Sequence, residues 1–156
     1  MMRVSDVLAT ERVWVSGPGA ADIWDRGGAL DRLSALLAPA AEVERAVIAE
    51  HLERRERLQT TGIGEGVAIP HCALTSVPRH LAALLLIPEG IDFQAIDRQP
   101  VRIVFGVVGP CDTRIHLRLL TRISRILRNP ATRSALCAAS NALEAMQVIR
   151  EAEGAG

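Results

Sequence analysis

The sequence predicts a single α/β domain, and three observations carry that expectation. Two long runs, from Leu81 to Ile87 and from Val101 to Gly109, are apolar or β-branched almost throughout, as strands covered on both faces are. Around them lie stretches whose apolar residues recur at helical spacing, so helices are expected to pack on the sheet. No repeat or low-complexity linker divides the chain, and 156 residues are of one-domain size. The expected limits are an N-terminal arm over 1–11, the domain over 12–150 and a frayed tail over 151–156.

In chain order, Arg12-Val13-Trp14-Val15 alternates well enough for a short first strand, and Ser16-Gly17-Pro18-Gly19 ends it as a turn. Asp22 to Gly28 gives a mixed signal. Leu30, Leu33, Leu36 and Leu37 share one face of a helix that starts at Ala29 and stops before Pro39. A second helix, Glu42 to Arg57, directs Val43, Ala46, Val47, Ile48 and Leu52 inward and ends in the charge cluster Glu53-Arg54-Arg55-Glu56-Arg57. Cations at a helix C-terminus are favoured by roughly 0.3–1 kcal/mol each, which gives those arginines a structural reason as well as a functional one.

Beyond the next segment, His80 to Ile87 is a buried strand closed by Pro88-Glu89-Gly90. Ile91 to Asp97 is an edge segment or turn, and Val101 to Gly109 is the strongest strand in the chain. Asp112-Thr113 caps a helix with Ile115, Leu117, Leu119, Leu120, Ile123, Ile126 and Leu127 on a wide apolar face, stopped by Asn129-Pro130. Thr132 to Ala138 forms a short helix, and Asn141 caps a last one with Leu143, Met146, Val148 and Ile149 inward.

Composition narrows the function. Apolar residues make up 49% and charged residues 23%, which argues against disorder, and the longest apolar runs are too short to span a bilayer. With 18 basic and 18 acidic residues the formal net charge is zero, so no nucleic-acid-binding face and no direct membrane insertion are expected. All the basic residues are arginine, a bias that fits genome composition while still offering planar, bidentate contacts to phosphate. Cys72, Cys111 and Cys137 form no CxxC, and the first residues lack a signal-peptide pattern; a cytoplasmic protein is the expectation.

The segment on which the chemistry converges is Thr61-Gly62-Ile63-Gly64-Glu65-Gly66-Val67-Ala68-Ile69-Pro70-His71. Alternate glycines read as a tight loop with exposed backbone N–H groups, and Val67-Ala68-Ile69 as a short buried strand. Pro70 has no N–H to give a sheet and fixes its own φ, so the strand is expected to end there and present His71 at its mouth. An imidazole beside free N–H groups suits an anion. A zinc site from His71, Cys72, Cys111 and His116 matches no common spacing, so no metal is expected, and His51 and His80 receive no role.

This motif resembles the active-site segment of the fructose/mannitol-type enzyme IIA domains of the bacterial phosphotransferase system, including the stand-alone nitrogen-regulatory members. The resemblance extends to the charge cluster before the motif, to Ile91-Asp92-Phe93, Asp97 and Gln99-Pro100-Val101, and to His116-Leu117-Arg118-Leu119-Leu120, in order, over roughly 12–150. It implies a mixed β-sheet flanked by helices on both faces, and a phosphocarrier whose histidine, here His71, takes a phosphoryl group from HPr or an HPr-like protein. The same resemblance makes Arg55 the active-site arginine, His116 the second histidine and Thr61 a loop hydroxyl, with no cofactor. Sugar-transporting members pass the group to a IIB cysteine; nitrogen-type members act through which partners, such as a transporter or sensor protein, each phosphorylation state binds. Gln59-Thr60 and Cys72 depart from the frequent Gly-Ser and Gly of nitrogen-type relatives without removing a reacting atom.

Imidazole suits such a relay because it is neutral near pH 7 and its phosphorylated form stays reactive. Phosphoryl transfer proceeds through a loose transition state, so alignment and stabilisation of charge on the oxygens do most of the catalysis. The N–H groups around Gly64 and Gly66, the His116 ring and the Arg55 guanidinium are the expected contributors.

Overall fold

The computed structural model describes residues 2–17, 23 and 25–155. Its elements, in order, are α1 (Val4–Val7), a 3-10 turn (Thr10–Arg12), β1 (Val13–Val15), α2 (Arg26–Ala41), α3 (Arg45–Leu58), β2 (Gly62–Gly64), β3 (Val67–Ala68), β4 (His71–Ala73), β5 (Leu81–Ile91), β6 (Val101–Gly109), α4 (Thr113–Arg128), α5 (Pro130–Ala138) and α6 (Ala142–Ala155). Pro18 and Gly19 of the expected turn lie outside the described residues.

The sheet is mixed and runs in the order β1-β5-β6-β3-β2, with β4 also on β6. Successive strand residues point to opposite faces, and both faces of the two central strands are covered. Leu81, Ala83 and Leu85 of β5 join Val104 and Val108 of β6 in a core with Leu30, Leu33 and Leu37 of α2 and Ile48 and Leu52 of α3. Ala82, Leu84 and Leu86 join Ile103, Phe105 and Val107 in a second core with Leu119, Ile123 and Leu127 of α4 and Met146 and Ile149 of α6. The near-continuous apolar reading of these strands is therefore the signature of a two-sided burial. Gly106 lets α2 approach closely: a Cβ there would stand 2.8 Å from a Leu33 methyl group.

Several expected boundaries shift. Helix α2 begins at Arg26, capped by the Asp25 carboxylate accepting from Gly28 N, and runs through Pro39 to Ala41 before Glu42 turns it off at φ +54°. Helix α3 starts at Arg45, so Ala46 and Val47 face solvent and Ile48 and Leu52 supply its buried face. Strand β5 continues past Pro88 to Ile91 by a register shift against β6, with Gly90 at φ +79°. Leu143, expected inward, is 71% exposed because the buried stripe of α6 is Ala145, Met146 and Ile149. Leu117 of α4 is likewise exposed.

The two chain ends also differ from the expected loose arm and frayed tail. Val4, Val7 and Leu8 are buried in the second core, and α6 continues through the expected tail to Ala155. The Glu153 carboxylate accepts from Val4 N at 2.6 Å and from Ser5 N at 3.0 Å, satisfying N–H groups at the start of α1. Burial of three apolar side chains, each worth roughly 1.5–3 kcal/mol, is what the sequence pattern of so short a segment did not signal. Removal of residues 1–8 is expected to lower the thermal midpoint by roughly 10–20 °C. An unchanged midpoint in a calorimetric scan would show these contacts to be incidental.

Candidate functional site

The expected strand end at Pro70 is an interruption instead. Val67 and Ala68 stand beside Ile103 and Val104, and His71 to Ala73 stand beside Val107 to Gly109, in one unbroken parallel register. Proline removes a single donor, while its carbonyl still accepts from Val107 N at 2.9 Å. His71 thus sits inside the strand run, half-buried, on the sheet face covered by α4, and Cys72 points into the opposite core. Burial pushes the Cys72 thiol up to about 12, which makes it inert beside its reactive neighbour.

His71 is oriented by its own backbone. Its Nδ1 lies 2.8 Å from the carbonyl oxygen of Ile69, an acceptor, so the ring proton resides on Nδ1 and the lone pair on Nε2. That carbonyl is available for a specific reason. In a hydrogen-bonded antiparallel pair two residues exchange both N–H···O bonds. Ile69 N donates to Thr61 O at 3.0 Å, but Thr61 N is drawn instead to Glu56 Oε2 at 2.8 Å. The buried Glu56 carboxylate also accepts from the Thr61 hydroxyl. Glu56 therefore leaves Ile69 O free for the imidazole.

Burial is the main influence holding the His71 pKa below the ordinary imidazole value; the Ile69 bond opposes it and the charge of Arg55 adds to it. The ring is therefore neutral at pH 7. The His116 ring lies 5.5 Å from that of His71, centroid to centroid, and its pKa is pulled down to about 4, by burial first and then by His71 and His80. His80, to which the sequence assigned nothing, lies with its ring 5.5 Å from that of His116, tilted by 38°, and is buried against Gly109. Three imidazoles thus form a row.

Arg55 and His71 line one cleft of about 470 Å³, with Thr60, Ile69, Leu117 and Thr121 among its other walls. The Arg55 guanidinium donates to Gln59 O at 2.8 Å, which fixes its stem at the end of α3. Ser124, Arg125 and Arg128 of α4 also face the cleft. They follow Leu117 and Thr121 at helical spacing, so the stripe was readable once His116 had been placed on that helix.

Three expected contributors stand elsewhere in role or place. Thr61 is 3% exposed and its hydroxyl is engaged by Glu56, so it acts on the backbone of the site and is not free for an anion. Gly64 and Gly66 form the β2–β3 turn with positive φ. That turn packs beside Arg102, at the other end of the strand run from His71, roughly 15 Å away at the usual rise per residue. The N–H of Glu65 is taken by Asp97. Alternating glycines here serve chain reversal and close approach, with Gly62 against Ala95 leaving no room for a Cβ. Among the described residues no cluster of three metal-ligating side chains occurs, and no helix is long and apolar enough to cross a membrane.

The row of histidines sets a pH dependence of stability. In the unfolded chain His116 binds a proton below about 6.5, whereas in the fold it does so only near 4. Between those values the unfolded state holds more protons, so stability falls as pH is lowered from about 6.5 toward 4 and then levels. Denaturant midpoints at pH 7 and pH 5 are expected to differ, and His116→Gln is expected to shrink the difference. An equal difference in both proteins would contradict the burial assigned to that ring.

Comparison with known proteins gives the architecture its kin. The profile described as "Phosphoenolpyruvate-dependent sugar phosphotransferase system, EIIA 2" matches residues 20–152. A nitrogen regulatory protein of Pseudomonas aeruginosa is 32% identical over 151 residues, 96% of either chain. A "PTS system fructose-specific EIIA component" of Haloferax volcanii is 30% identical over 150 residues, 95% of either chain. The crystal structure of nitrogen regulatory protein IIA-Ntr from Neisseria meningitidis superposes with a TM-score of 0.85 at 26% identity, covering 94% of this chain and 98% of that one. A six-stranded mixed sheet whose parallel run beside β6 holds a half-buried histidine, matched by a family profile over most of the chain's length, makes this chain a member of the enzyme IIA type 2 family of the phosphotransferase system.

Proposed function

We propose that His71 accepts a phosphoryl group on Nε2 from HPr or an HPr-like phosphocarrier. The observation that carries this reading is the 2.8 Å contact of Nδ1 with Ile69 O inside a cleft that Arg55 shares. The Nε2 lone pair forms the new N–P bond as the donor's N–P bond breaks. The Nδ1 proton stays on the Ile69 carbonyl bond, which supports the positive character of the phosphorylated ring. Arg55 and His116 are the groups placed to meet the phosphoryl oxygens, and Arg125 and Arg128 add positive charge to the same cleft. The group then leaves to a IIB cysteine, whose thiolate makes the S–P bond as N–P cleaves, or stays as a signal. We place the reaction in the cytoplasm, in keeping with three unpaired cysteines.

The likeness to nitrogen regulatory proteins along almost the whole chain supports the regulatory output. In that reading a doubly charged group added at the cleft mouth changes which transporter or sensor protein docks beside it.

Incubation with phosphoenolpyruvate, enzyme I and an HPr is expected to give an acid-labile phosphoprotein, with His71→Ala unlabelled. Arg55→Ala and His116→Ala are each expected to slow labelling about 10- to 100-fold, the scale of one charge-assisted or transition-state hydrogen bond. Label retained by His71→Ala would remove this histidine from the reaction. For the regulatory output, pull-downs with phosphorylated and unphosphorylated protein should retain different partners; identical retention counts against it.

A further inference from the structure

The proposed transfer leaves one buried group unused. His80 is 4% exposed, immediately precedes β5, and packs its ring over Gly109, where a Cβ would come within 2.2 Å of it. Its Nε2 is buried and has no hydrogen-bond partner among the described residues; neither has the buried Nδ1 of His116. The two rings stand 5.5 Å apart, centroid to centroid, and are tilted by 38°, a separation that an edge-to-edge N–H···N bond can span once the rings turn toward each other. Two sealed nitrogens left unpaired are each costly, and a shared proton between them removes both costs.

The direction of that bond follows from the site's task. Phosphoryl oxygens on His71 only accept, so a His116 that serves them must carry its proton on Nε2. Its Nδ1 is then bare and needs a donor. Burial holds His80 neutral, with the nearby charge of Asp112, the cap of α4, only opposing it, so the ring has one N–H to give. We infer that His80 is a positioning residue: its Nε2–H donates to His116 Nδ1 and fixes His116 as the Nε2–H tautomer aimed at the phosphoryl group on His71. This inference rests on the proposed role of His71 only for the direction of the bond. His80 touches no reacting atom, and it was invisible in the sequence because nothing in Pro78-Arg79-His80 marks it.

The test is ¹⁵N NMR of the imidazoles in the unphosphorylated full chain at pH 7, which reads tautomers without any transfer reaction. Wild type is expected to show His116 and His80 both as Nε2–H tautomers; a His116 protonated on Nδ1 overturns the inference outright. His80→Phe keeps a ring over Gly109 but removes the donor, and His116 should then lose its tautomeric preference. His80→Gln, whose amide N–H can replace the ring donor, should keep it. Gly109→Ala, which displaces the ring while leaving all three imidazoles in the chain, should mimic His80→Phe. In transfer from phosphorylated His71 to a thiol acceptor, His80→Phe should be slowed about tenfold and His80→Gln no more than about twofold. Unchanged His116 signals in His80→Phe, or equal rates in the two variants, would refute the positioning role. Failure of wild type to label at His71 would instead refute the parent reading and leave the tautomer result standing.

Discussion

The structure of the site depends on one backbone carbonyl being left out of the sheet. Ile69 O would ordinarily take the N–H of Thr61, its antiparallel partner. Glu56, reaching from the end of α3, holds that N–H and the Thr61 hydroxyl, and the unclaimed carbonyl fixes the tautomer of His71 two residues on. Pro70 completes the arrangement from the other side. Lacking an N–H, it breaks the ladder locally without changing the register against β6, so His71 is held by a rigid strand and still has a side chain free to react.

Electrostatics then follow from position. Strand alternation sends His71 to the α4 side of the sheet and Cys72 to the α2 side, which separates the imidazole from a thiol that burial keeps protonated. On the α4 side burial lowers the pKa of all three imidazoles, and His116 is held down further by His71 and His80, so each ring is neutral near pH 7. Positive charge at the cleft comes instead from Arg55, Arg125 and Arg128. The division is physically sensible. In the proposed transfer the neutral rings supply a nucleophile and directional donors, and the arginines supply attraction for a dianion.

The same sheet ties distant parts of the chain to this cleft. Helix α4 is seated by Leu119, Ile123 and Leu127 on Phe105 and its neighbours, and that core also takes in Val4, Val7 and the inner stripe of α6. A clasp between Glu153 and the first turn of α1 closes the layer. His116 therefore owes its place to both termini, although neither lies in the cleft.

Much of this was legible in order along the chain. The apolar runs announced two strands with both faces buried; β6 falls where Val101 to Gly109 placed it. Asp112 and Asn141 announced helix starts by their side-chain acceptors, whereas Asn129, read only as the stop of α4, also caps α5 from Pro130. The motif pointed to His71 and the family resemblance to Arg55 and His116, and the fold brings Arg55 into one cleft with His71 and the His116 ring to 5.5 Å from it. What only the tertiary structure decided are relations across the chain: that Thr61 answers to Glu56, that Gly64 and Gly66 turn the chain far from the imidazole, and that His80 stands behind His116. Periodicity fixes which face a residue presents within its own element. It does not say which element arrives opposite, and a hydrogen bond or a shifted pKa belongs to that second fact.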